Sequence, residues 1–237
     1  MSGSAVKVGV HRGLESLTEM MRGDVKTDEL ILMLASGAEA AEPHALERRF
    51  TIALGWGAFG ATLLMAIMLG VRPDLSDAVR LPMFWVKLAF PAALGAGALL
   101  ATVRLSRPGT RLGRVPATLT APVLAMWLLA AVVLLAAAPA ERPQLVFGET
   151  WVYCPFIIAA LSVPLFGTLL WAMKGLAPTR LALAGASVGL LAGAGGALIY
   201  SLHCVEMAAP FIGVWYLLGM LIPTAVGALL GPRLLRW

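Results

Sequence analysis

Hydrophobic and polar positions divide the chain into two textures. Residues 1–49 alternate charged, polar and apolar side chains with no long apolar run, whereas from Phe50 onward the chain is dominated by Leu, Ala, Gly and Val. Six apolar stretches stand out at Phe50–Val71, Phe84–Val103, Leu119–Ala138, Phe156–Met173, Leu181–Tyr200 and Ile212–Leu230. A helix rises about 1.5 Å per residue, so each stretch is long enough for a hydrocarbon layer of about 30 Å. The pattern predicts an all-α polytopic membrane protein with six transmembrane helices over residues 50–237, preceded by a tail over 1–49. Within the tail, Lys26 to Ala35 reads as a short helix over about 27–36. Thr27 is its N-cap, and Asp28 and Glu29 in its first turn complement the positive end of the helix dipole. Leu30, Met33 and Leu34 are three and four residues apart and so share one apolar face. A helix of this length is marginal alone in water, so that face calls for a docking partner.

Composition sharpens the picture. Of 237 residues, 59% are hydrophobic and only 13% charged, against about 25% charged in soluble domains. A soluble globule of this size could not cover its surface. The sequence pI of 9.7 reflects membrane-flanking arginines rather than nucleic-acid affinity, and no direct nucleic-acid contact is expected. The tail holds eight acids and six bases and lacks the apolar core of a secretory signal, so no cleavage is expected.

Orientation follows from the bases. Ten (Arg48, Arg49, Arg104, Arg107, Arg111, Arg114, Lys174, Arg180, Arg233, Arg236) flank the even-numbered loops and the two ends of the span region, and only Arg72, Arg80 and Arg142 lie in odd-numbered loops. The positive-inside rule then predicts an N-in/C-in topology with a cytoplasmic tail. Trp85, Trp151 and Trp215 near one boundary, and Trp171 and Trp237 near the other, read as an aromatic belt. Gly185, Gly189 and Gly193, with Gly227 and Gly231, form small-residue stripes that predict close packing within the bundle.

Candidate chemistry is sparse. No span contains Asp, Glu or His, and Lys87 is the only charge well inside a run; its long stem predicts snorkelling to the outer surface. Transporters place ionisable groups at depth, so a small-solute permease or channel is the weaker alternative. No Gly-rich phosphate loop, HExxH pair or Ser/His/acid set is present, so neither an enzyme nor a cofactor is expected. What remains is a pair of cysteines. Cys154 opens span four and Cys204 closes span five, which puts both on the outer side. They offer a disulfide, a soft-metal site helped by His203, Met207 and Glu206, or thiols open to oxidation; each also suits a small buried hydrophobe. Without a CxxC spacing, a quinone-coupled thiol oxidoreductase fits poorly.

Lys26-Thr27-Asp28-Glu29-Leu30 through Leu34-Ala35, Phe84-Trp85-Val86-Lys87-Leu88, and His203-Cys204-Val205-Glu206-Met207-Ala208-Ala209-Pro210-Phe211 followed by Trp215-Tyr216 resemble the NrsF family. These are bacterial inner-membrane anti-sigma factors that hold an extracytoplasmic-function sigma factor inactive. The resemblance runs from about residue 26 to the C-terminus. It implies multi-pass residence in the inner membrane, with the lipid bilayer and such a sigma factor as partners. It further implies sigma-factor binding by the tail (Asp28, Glu29, Leu30, Met33, Leu34) and sensing of heavy metals or oxidants by Cys154 and Cys204, with any metal held only transiently.

Overall fold

The computed structural model describes residues 31–32, 45–107, 109–174, 176 and 178–236. Among the described residues there is no strand, and six helices are long and apolar enough to cross a membrane. They are α1 (Ala45–Met68), α2 (Pro82–Leu105), α3 (Val115–Ala136), α4 (Cys154–Lys174), α5 (Leu181–Tyr200) and α6 (Ala209–Leu234). Of the expected tail helix, Ile31 and Leu32 are helical and exposed. Asp28, Glu29, Leu30, Met33 and Leu34 lie outside the described residues.

Helix limits differ from the apolar runs by a turn or less at most ends. A helix satisfies its own backbone and need not stop where the apolar side chains do. Thus α1 starts at Ala45, with Glu47 in its first turn, where a carboxylate favours the dipole. Prolines mark several starts: α2 opens on Pro82 after an extended Leu81 (ψ 129°), and Pro116 lies in the first turn of α3. Proline loses nothing there, since its missing N–H would have had no helical partner. Two short helices, Leu75–Ala78 and Arg142–Phe147, lie in loops one and three, and the first part of α6 is a π-helical turn at Ile212–Tyr216.

Helix α5 occupies the middle, packed against α2, α4 and α6. The predicted small-residue stripe explains how. A Cβ on Gly185 would overlap the Gly227 carbonyl, one on Gly189 the Pro223 carbonyl, and one on Gly231 the Leu181 carbonyl. The α5–α6 seam is therefore backbone on backbone, the close approach that small residues permit. Helix α1 lies on α4 through Gly57 and Gly60, which face Leu165, Thr168 and Pro164. Its opposite face exposes Ile52, Trp56, Phe59, Leu63 and Ile67, an apolar stripe suited to lipid. Helix α3 lies at the edge against α2, and Trp127 Nε1 donates to the Gly213 carbonyl in the π turn at 3.0 Å.

The aromatic belt has specific anchors. Trp85 is exposed and donates to the Val79 carbonyl. Trp151 packs tilted against Trp215 with ring centres 5.1 Å apart, and Trp215 donates to Val146 O at 2.8 Å. At the other end Arg49 lies over the Trp171 ring, 4.9 Å from its centre. Trp237 lies outside the described residues.

Candidate functional site

Between α5 and α6 the chain leaves helical geometry. After a turn at Ser201–His203, residues 204–208 form a strap without regular structure. Buried carbonyls outside a helix need donors from other protein groups. Here cations supply them. Lys87 Nζ donates to Cys204 O at 2.6 Å and to Glu206 O at 2.8 Å, and Arg72 Nη1 donates to Cys204 O at 3.2 Å. The Arg72 amide also donates to Leu202 O.

The expectation that Lys87 snorkels is therefore corrected: its side chain is 0% exposed. It lies on the same face of α2 as the buried Phe84, Phe90, Pro91 and Leu94, and that face points into the bundle. Its ammonium also sits 5.5 Å from the centre of the Tyr216 ring.

Cys154 and Cys204 are free and buried, and they belong to one apolar cluster with Tyr200, Phe211 and Tyr216. Residues 50 positions apart in sequence thus come together in one buried cluster beside Tyr200. The Tyr216 ring centre lies 5.8 Å from that of Tyr200, and its hydroxyl is buried without a hydrogen-bond partner.

The other candidate residues brace the strap. His203 Nδ1 is 2.9 Å from the Gly70 carbonyl; a carbonyl only accepts, so Nδ1 carries the proton. Glu206 Oε1 accepts from the Glu149 amide at 2.8 Å, tying the strap to loop three. Met207 is half-buried in the strap. Among the described residues no group of three or more His, Cys, Asp or Glu is arranged to hold a metal ion, so the sulfurs stand as a pair.

Arg72 is fixed by a bidentate bond to Asp74, with Nε–Oδ1 2.8 Å and Nη2–Oδ2 2.6 Å. This bond holds the Asp74 carboxyl below its ordinary range and raises Arg72 further. A lowered carboxyl stabilises the fold above its unfolded pKa, and the contribution is lost as pH falls through the folded one. Asp74→Asn is therefore expected to lower the melting temperature of the detergent-solubilised protein at pH 7. The difference from wild type should close in acid, and a gap unchanged in strong acid would contradict this assignment.

Sequence reasoning missed Arg72, Lys87, Tyr200 and Tyr216 as neighbours of the thiols. A signal existed for Lys87 alone, in its three- and four-residue spacing from Phe84, Phe90 and Pro91.

The NrsF family, negative regulator of sigma F, matches residues 34–237. The probable anti-sigma-F factor NrsF of Azospira oryzae is 58% identical over 213 residues, covering 90% of this chain and 100% of that protein. The anti-sigma-F factor NrsF of Caulobacter vibrioides is 38% identical over 215 residues, covering 90% of this chain and 100% of its own. No solved structure matches. With six apolar helices among the described residues and a match over most of its length, the chain belongs to the NrsF family of negative regulators of sigma F, regulatory proteins rather than enzymes.

Proposed function

We propose that this protein is an inner-membrane anti-sigma factor with both termini in the cytoplasm. Its tail sequesters an extracytoplasmic-function sigma factor, with Leu30, Met33 and Leu34 as apolar anchors and Asp28 and Glu29 against basic partner residues. Release follows when Cys154 and Cys204 engage a thiol-reactive metal or an oxidant. The observation that carries this reading is the burial of both free thiols in one cluster with Tyr200. A ligand or oxidant that joins both sulfurs pulls the Cys204 strap against the start of α4. His203, Glu206 and Met207 belong to the sensor as parts of that strap, His203 and Glu206 through their bonds to loops one and three. A tenfold fall in tail affinity requires only about 1.4 kcal/mol of coupling.

A permease or channel would need polar groups lining a mid-membrane passage. The buried Lys87 lies three residues from the buried Phe84, near the start of α2, and its ammonium is engaged by main-chain carbonyls, which favours the regulatory reading.

The test is co-purification of the sigma factor with the full chain in mild detergent. Wild type is expected to retain it, and Leu30→Asp/Met33→Asp/Leu34→Asp to recover at least tenfold less at equal membrane abundance. Equal recovery would remove the tail from the interface.

A further inference from the structure

We propose that a groove between α2 and α3 binds one acyl chain of a membrane phospholipid, in the half of the bilayer on the side of loops one and three.

The groove exists because its rims are small. Ala89 and Ala93 on α2 and Ala125 on α3 are exposed, and the first two lie four residues apart on one helix face. Between the rims the wall falls back to the buried Phe90 and Met126, leaving a recess of about 300 Å³. It ends where the two helices meet again: a Cβ on Gly97 would lie 2.8 Å from Leu119 Cδ2 and 3.2 Å from Thr118 Oγ1.

Its depth matches a lipid chain. Val86, the lining residue nearest loop one, is four residues past the start of α2, and Ala93 is eleven past it. On that helix the groove therefore runs from about 6 Å to about 16 Å deep, at about 1.5 Å per residue. A chain descending from the headgroup region reaches the middle of a hydrocarbon layer of about 30 Å over the same distance.

The lining decides the occupant. Among the described residues no side-chain nitrogen or oxygen lines the groove, so water and polar ligands find no partner, and an apolar cavity of this kind stays dry. A helix of a second copy is about 10–12 Å across with its side chains and does not enter a recess of this volume. A free fatty acid would carry its carboxylate to a site with nothing to receive it, whereas a phospholipid leaves its headgroup at the surface. Burial of apolar surface gives no drive within lipid, so the gain is packing. A chain that enters restores the dispersion contacts that the walls of an empty groove lack. Phe90 and Met126 belong to the buried cluster that holds Cys154 and Cys204, so the chain packs on the bilayer side of that cluster.

The test is native mass spectrometry of the full chain, released from detergent, after addition of palmitoyl-oleoyl phosphatidylcholine or phosphatidylglycerol. Wild type is expected to retain one phospholipid, with the two headgroups within twofold of each other. Ala125→Phe fills the groove and should lower that occupancy at least fivefold. Ala131→Phe, the same change at an exposed position of α3 outside the groove, should match wild type. Should Ala125→Phe melt early, Ala89→Leu fills the groove from the α2 side and is expected to give the same loss. Retention by the filled variants equal to wild type would overturn the proposal. So would retention that follows the anionic headgroup and ignores the groove. A wild-type dimer that Ala125→Phe converts to monomer would make a second copy the occupant and overturn it as well.

Discussion

Replacing Cys154 and Cys204 together with serine is expected to leave the sigma factor repressed at all doses of a thiol-reactive metal or oxidant. Resting repression should match wild type. The effect is large because both sulfurs are buried in one cluster, so one engaged thiol without the other pulls nothing across the α4–α5 boundary. Serine suits the test. Its hydroxyl is smaller than the thiol but keeps the shape of the side chain, and Tyr200 and Tyr216 in the same cluster supply polar groups. Loss of signalling is then separable from collapse of the core. The measurement is sigma-dependent reporter transcription across an inducer series, with membrane abundance in parallel. An induction curve matching wild type would remove the sensor role.

Gly189→Leu is expected to abolish the folded bundle. A Cβ at this position overlaps the Pro223 carbonyl and sits 2.8 Å from Thr224 Cα. Overpacking in ordinary cores costs about 1–3 kcal/mol because side chains give way. Here the obstacle is backbone, so α5 and α6 must separate along their whole seam and lose the contacts at Gly185, Gly193, Gly227 and Gly231 as well. The internal control is Gly167→Ala in α4, where an added Cβ meets nothing within 4 Å and helix propensity favours alanine by about 0.5–1 kcal/mol. Size-exclusion profiles and melting curves of tagged proteins in detergent should show Gly167→Ala at or above wild type and Gly189→Leu aggregated. A monodisperse Gly189→Leu protein with wild-type melting would contradict the seam.

The contrast between these glycines shows what the sequence could and could not display. Apolar length gives depth along the membrane normal, and the six spans were legible from it. The four-residue spacing of Gly185, Gly189 and Gly193 also announced a close helix contact. Which way a side chain faces around its helix was not legible, because the spans are apolar on nearly every side. Lys87 illustrates the cost. Its place three residues into the run was plain, but its direction depends on the Cys204–Ala208 strap, whose carbonyls accept from its Nζ. Hydropathy carries no trace of a backbone segment that declines to be helical. In the sequence the pairing of Cys154 with Cys204 rests on sidedness alone, and Tyr200 and Tyr216, ordinary aromatics at span ends, give no sign that they share a buried cluster with the two sulfurs.

The glycine seam has a mechanical consequence. Side chains between helices act as a soft layer in which small displacements die out through rotamer changes; α5 and α6 have none along Gly185, Gly189, Gly227 and Gly231. The two helices tilt as a single stiff beam. One end of that beam holds Cys204, and the other ends at Leu235, which shares a buried cluster with Phe50 in the first turns of α1.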